Sequence, residues 1–180
     1  GEMGRCAAHP DTVTYSAAIS ACEKGARWQL ALQLLGELWS GGLEPGVIAL
    51  SAAISACAKG AQWERSLLLL QSMDERAIRP NEVTYNAAIC ACAAAGQWQA
   101  AVALLDDLGG RGLIANAITY SALIDACSSG EQWQLALAFL TQMRERGVHQ
   151  NVIACGAAVS ACGSCGEWER AFALLEEMEE

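Results

Sequence analysis

The sequence is short of basic residues and of histidine. Eleven lysines and arginines face 20 acids in 180 residues, a net charge of −9. A protein that grips a polyanion by charge alone carries a basic footprint, and this composition lacks one. The two histidines, His9 and His149, fall in corresponding loop-like stretches. They read as exposed linker residues rather than ligands or proton carriers. No run of about 18 apolar residues occurs, so no membrane span is expected. The opening GEMGRCAAHPD is neither a secretory signal nor an arginine-rich transit peptide. There is no P-loop, no G-x-G-x-x-G, no nucleophile set beside a base and no H-x-E with P-C-x-x-C. Cys162-Gly-Ser-Cys165 is half of a zinc site with no second ligand pair nearby. The chain therefore reads as non-catalytic, with no metal and no cofactor.

What is present is repetition. Trp28, Trp63, Trp98, Trp133 and Trp168 are each 35 residues apart, as are Cys22, Cys57, Cys92, Cys127 and Cys162. No insertion breaks the period. Equal units of this length bury their apolar faces against their neighbours, so the chain is a stack. A hydrophobic share of 53% argues against disorder. Nine cysteines suggest disulfides at first sight, but five share one helical register. They are expected to be reduced core thiols, because equivalent residues of stacked units sit too far apart to bridge.

One unit, residues 12–46, shows the plan. Asp11 precedes TVTYSAAISACEKG and is a strong N-cap; Asn81, Asn116 and Asn151 hold the same place later, with Gly46 the exception. Tyr15, Ala18, Ile19 and Cys22 form an apolar stripe at helical spacing. Gly25 is expected to close this first helix, helix A, in the left-handed conformation, with Gly60, Gly96, Gly130 and Gly166 marking the same turn. Trp28 opens helix B, whose buried stripe is Ala31, Leu34, Leu35 and Leu38, and which runs to about Trp39. SGGLEPG follows and leads to the next unit. Short connections make the two helices antiparallel neighbours. The expected fold is an all-α solenoid of helix-turn-helix repeats at residues 12–46, 47–81, 82–116, 117–151 and an incomplete 152–180. Residues 1–11 read as the end of a preceding repeat. Helix B of the last unit, AFALLEEMEE, lacks a polar cap, so a segment of a longer repeat protein is expected.

The pattern VTYSAAISACEKGARWQLALQLLGELWSGGLEPG, with junctions such as RPNEVTYNAAI and HPDTVTYSAAI, resembles the pentatricopeptide repeat over the whole chain. The tetratricopeptide signature W-x2-L-G-x2-Y is missing. The resemblance implies a right-handed solenoid that binds single-stranded RNA, one base per repeat, in chloroplasts or mitochondria. There such proteins act in RNA processing, editing, stability or translation. It implies that the fifth residue of each unit reads the base with help from the last, giving Ser16 with Gly46, Ser51 with Asn81, Asn86 with Asn116, and Ser121 with Asn151. It implies that Val13, Ile48, Val83, Ile118 and Ile153 sandwich the bases, and that Lys24 and Lys59 reach phosphate. Ser51 and Ser121 then look like adenine readers and Asn86 like a pyrimidine reader, for a core of 5′-A-C-A-3′ or 5′-A-U-A-3′. Ser16 with Gly46 departs from the pattern, Gly156 has no side chain to read with, and Ala94, Ser129 and Ser164 replace the lysine.

Plainer readings of the same residues stand beside these. The asparagines serve as caps with or without a ligand. The serines suit any first helical turn. The aliphatic second residues fit an inter-repeat core. The charge distribution leaves both possibilities open. The helix A stretches carry Lys24 and Lys59 against Glu23, Glu82 and Asp125, a balance of −1, so most of the acidity lies on helix B and the loops. Such an acidic outer surface suits protein partners. The alternative function is accordingly a protein–protein scaffold of helical repeats with no RNA ligand.

Overall fold

The structure, a computed structural model, describes residues 10–179. Residues 1–9, including His9 and most of the stretch read as the end of a preceding repeat, lie outside the described residues. Ten α-helices follow in order, and among the described residues there is no strand. They are α1 (Thr12–Lys24), α2 (Trp28–Ser40), α3 (Val47–Lys59), α4 (Trp63–Glu75) and α5 (Glu82–Ala94). The second half comprises α6 (Trp98–Gly110), α7 (Ala117–Ser129), α8 (Trp133–Glu145), α9 (Val152–Ser164) and α10 (Trp168–Glu179). The odd-numbered helices are the A helices and the even-numbered ones the B helices. No described helix is long and apolar enough to cross a membrane.

Side-chain size explains the stacking. Each A helix packs closely on the A helices before and after it, whereas each B helix packs closely on its own A helix and the next one and meets the neighbouring B helices only through long side chains. Small residues let the A helices approach: Ala53, Ala56, Ala88, Ala91, Ala126, Ala158 and Ala161 are all fully buried. The B helices present bulkier Leu35, Leu38, Leu70, Met73, Leu108, Leu140 and Met143 and are held further apart. Closer spacing on one side than the other curves the stack, with the A helices lining the inner surface. Ile19, Ile54, Ile89 and Ile124 run through the middle as a continuous core. Cys57, Cys92, Cys127 and Cys162 are fully buried beside them and Cys22 nearly so. Burial pushes the thiols of Cys57, Cys92 and Cys127 up to about 11, so they are neutral packing groups at ordinary pH.

The A–B turn corrects one expectation. The glycines at 25, 60 and 130 have φ of −84°, −96° and −91°. In those turns the left-handed residue is the next one, Ala26, Ala61 or Glu131, whereas Gly96 and Gly166 are themselves left-handed as expected, with φ of 67° and 78°. Closure is of Schellman type, with the Arg27 amide donating to Cys22 O at 2.9 Å and the Gln62, Gln97, Gln132 and Glu167 amides donating likewise to Cys57, Cys92, Cys127 and Cys162. Glycine is needed at 60 and 130 for space. A Cβ on Gly60 would stand 2.2 Å from Cδ1 of Trp28, and one on Gly130 2.3 Å from Cδ1 of Trp98. The period-35 tryptophan of one unit thus lies against the turn of the next. Its ring is half-buried in the first four units, and Arg65 and Arg170 stack on Trp28 and Trp133 at 4.4 and 4.5 Å.

Candidate functional site

The inner surface is where the sequence departs from ordinary burial. Val13, Ile48, Val83, Ile118 and Ile153 are 75%, 73%, 63%, 59% and 70% exposed. The reading of these residues as inter-repeat core is therefore wrong. One branched aliphatic side chain per unit stands in solvent at a fixed place in the first turn of each A helix. A solitary exposed isoleucine is ordinary, but five in register are an apolar row.

Between successive members of this row lie clefts. The first is walled by Ile48 and Val83 and contains Ser51 and Asn81, with Glu23 and Ser55 deeper along the groove. The second is walled by Val83 and Ile118 and contains Asn86, Cys90 and Lys59. The third is walled by Ile118 and Ile153 and contains Ser121, Asn151, Cys90 and Asp125. The fold thus brings beside each unit's second and fifth residues the second residue of the next unit, 35 positions on, and, in two of three clefts, the unit's last residue, 30 positions after the fifth.

Hydrogen bonds fix these polar groups. Ser51, Asn86 and Ser121 are only 7%, 9% and 8% exposed, so each offers an edge rather than a whole side chain. The Asn86 amide donates to Asn116 Oδ1 at 3.4 Å, and Thr119 Oγ1 donates to Asn86 Oδ1 at 2.5 Å. Ser121 Oγ lies 3.2 Å from Asn151 Oδ1 and 2.7 Å from its own helix carbonyl, Ala117 O. Ser51 Oγ shares a hydrogen bond of 2.7 Å with Thr84 Oγ1, which in turn donates to Asn81 Oδ1 at 3.0 Å. The last residues do cap helices. Asn81, Asn116 and Asn151 accept the amides of Thr84, Thr119 and Ala154, and the first two complete capping boxes. Capping uses their Oδ1 atoms, and their Nδ2 donors make no hydrogen bond among the described residues. Capping and the contacts to Asn86 and Ser121 both fall on Oδ1, so a cap role leaves the Nδ2 donors uncommitted among the described residues.

The first and fifth units differ. Ser16 is half-buried and bonded to Thr12 O at 2.7 Å, and Gly46 adds no side chain. Gly156 is exposed, with nothing within 4 Å of where its Cβ would be.

The lysines also differ from each other. Lys24 is exposed at the end of α1. Lys59 lines the second cleft, but its ammonium donates at 2.9 Å to both Oε1 and the backbone O of Glu23, and Ser55 Oγ donates to the same carboxylate at 3.1 Å. The Lys59 hydrogen bond holds the Glu23 carboxyl below its ordinary value. The positive charge expected at Lys59 is thus largely matched by a partner that the sequence did not reveal. Burial, with help from Asp125, pushes the Cys90 thiol up. Its place on the groove wall went unnoticed in the sequence, where it occupies the register of Ser20 and Ser55. His149 is exposed in its loop. Cys162 is core, Cys165 sits at the helix end, and no cluster of three metal-ligating side chains forms among the described residues.

Known proteins share this architecture. PPR10 from maize is 25% identical with a TM-score of 0.75, the likeness covering 96% of this chain and 25% of that one. PPR10 in complex with an 18-nt psaJ RNA element is 22% identical with a TM-score of 0.78, over 97% of this chain and 29% of that one. The PPR domain of Arabidopsis thaliana protein-only RNase P 1, in complex with tRNA, is 14% identical with a TM-score of 0.79, over 92% of this chain and 88% of that one. The chain therefore spans less than a third of the PPR10 chains it matches. No curated protein matches it in sequence. The PPR repeat model matches residues 13–43, 118–148 and 153–180, and the PPR repeat family model matches residues 80–129. With most of its length so matched and helix pairs stacked in an all-α solenoid, the chain belongs to the pentatricopeptide repeat family.

Proposed function

We propose that the chain binds single-stranded RNA along the A-helix groove, one base per cleft, in repeats 12–46, 47–81, 82–116, 117–151 and 152–180. The observation that carries this is the exposed aliphatic row with hydrogen-bonded polar residues set between its members. Two branched side chains grip the faces of a flat ring, and the polar pair meets its edge. Ser51 with Asn81 reads adenine, Asn86 with Asn116 a pyrimidine, and Ser121 with Asn151 adenine, for a core of 5′-A-C-A-3′ or 5′-A-U-A-3′. Ser16 with Gly46 contributes little selectivity. Val13 and Ile153 close the row at its ends, and Lys24 is the freer phosphate contact. Weak groove charge makes stacking and edge contacts the main source of affinity. The family resemblance supports a role in organelle RNA processing, editing, stability or translation, in chloroplast or mitochondrion, as a binding element and not a catalyst.

Ser51→Asn tests the reading. The new asparagine would find Thr84 and Asn81 where Asn86 finds Thr119 and Asn116. The second repeat becomes a copy of the third, and its preference should move from adenine to a pyrimidine. Base-edge discrimination of about 1–3 kcal/mol makes the switch visible in competition among RNAs differing at one base. If wild type and variant rank the four bases alike, Ser51 does not read RNA, and the protein–protein scaffold becomes the better account.

A further inference from the structure

A cavity among α8, α9 and α10 has a shape that the repeat itself explains. The fourth residue of the units is Tyr15, Leu50, Tyr85, Tyr120 and Cys155. Tyr85 and Tyr120 are fully buried. Their hydroxyls donate to the residue 22 positions on, Tyr85 to Asp107 and Tyr120 to Gln142 Oε1 at 3.1 Å. In the fifth unit the fourth residue is Cys155, and 22 positions on stands Glu177.

A half-enclosed cavity of about 200 Å³ lies there, walled by Leu140, Arg144, Cys155, Leu174 and Glu177 among others. Moving each of these back two periods gives Leu70, Asp74, Tyr85, Leu104 and Asp107. Leu70 and Leu104 are core residues, and Asp74 and Asp107 join Arg111 in the ion-paired cluster around the Tyr85 phenol. The void thus stands where the repeat elsewhere places a tyrosine ring. Its polar end is ready-made, because the Glu177 carboxylate that would accept the hydroxyl is held by Arg144 at 2.8 Å.

We propose that this cavity is a binding site for a small monocyclic phenol, with the ring between Leu140 and Leu174 and the hydroxyl donating to Glu177. An apolar cavity of about 150 Å³ suffices to take up benzene in other proteins. Here the carboxylate adds selectivity for a hydroxyl donor over a plain hydrocarbon of the same size. Asn151 borders both this cavity and the third cleft, and most of the remaining lining comes from α8, the start of α9 and α10.

The probe is p-cresol, the side chain of tyrosine as a free molecule, titrated into the chain and followed by ligand-observed NMR and by thermal unfolding. Saturable binding is expected, at least fivefold tighter than toluene, with a rise in melting temperature. Cys155→Tyr should raise the melting temperature without ligand and abolish the response to p-cresol. Cys155→Leu, which copies Leu50 of the second unit, should also abolish it should the tyrosine variant fold poorly. Glu177→Gln should narrow the gap between p-cresol and toluene. Absence of saturable p-cresol binding, binding that survives Cys155→Leu, or equal affinity for p-cresol and toluene would overturn the proposal.

Discussion

Ile118→Ala separates a side chain kept for a ligand from one kept for the fold. Ile118 is 59% exposed and walls two adjacent clefts, one with Val83 and Asn86, the other with Ser121 and Ile153. The substitution removes three carbons, each worth about 0.8 kcal/mol when buried. The share of their surface already covered in the stack comes to about 1 kcal/mol, and the better helix propensity of alanine returns about 0.4 kcal/mol of it. Folding stability should therefore fall by only about 0.5 kcal/mol. The exposed share is what a pair of bases could cover, and its loss costs about 1–1.5 kcal/mol of binding, or roughly 5- to 13-fold in Kd. Fluorescence anisotropy with single-stranded RNA measures the second quantity and urea unfolding the first. Ile124→Ala, at a fully buried position, serves as the converse. It should cost about 2–5 kcal/mol of stability through its cavity. An unchanged Kd for Ile118→Ala, or a stability loss matching that of Ile124→Ala, would refute the idea that the aliphatic row exists for a ligand.

Other outcomes follow from the same geometry. Gly60→Ala should destabilise by about 1–3 kcal/mol, because its Cβ meets Trp28, while Gly25→Ala, with nothing nearer than 3.5 Å, should be close to neutral in the same denaturation assay. Lys24→Ala should weaken all RNA sequences alike and reduce the salt slope by about 0.7, and Lys59→Ala should do less while Glu23 holds it. Glu23→Gln should tighten binding of every sequence by releasing Lys59, and an unchanged or weaker Kd would show that the pair positions the lysine instead. The thiols of Cys57, Cys92 and Cys127 ionise at about 11 when folded against 9.0 ordinarily. The unfolded chain loses those protons first, so their contribution is intact below pH 9 and falls away between about 9 and 11. Urea midpoints across that range should show the loss, and Cys57→Ala should reduce its steepness.

The sequence made the helix pairs legible because its period was unbroken and every unit carried the same apolar stripe. The helix starts at residues 12, 47, 82, 117 and 152 coincide with those read from the caps Asp11, Gly46, Asn81, Asn116 and Asn151. Taking glycine as the mark of positive φ held for Gly96 and Gly166 but misplaced the left-handed residue by one position at Gly25, Gly60 and Gly130. At Gly60 and Gly130 the glycine makes room for a tryptophan 32 residues earlier, a contact between units that no single unit reveals. Exposure of the aliphatic row could be expected only from the family resemblance and not from the residue pattern, since an isoleucine beside a cap looks the same whether it faces a neighbour or solvent. The Glu23–Lys59 pair joins residues 36 apart, and only the stacking distance between α1 and α3 decides that they meet.

Selection from a random single-stranded RNA pool tests the central claim most directly, because it asks for affinity and sequence at once. The groove predicts enrichment of adenine, a pyrimidine and adenine at three consecutive positions, with little preference at the position 5′ to them, and loss of enrichment when the same sequence is presented as duplex. Recovery of no common sequence, or retention of duplex as readily as single strand, would contradict the assignment of the A-helix groove as an RNA-reading surface.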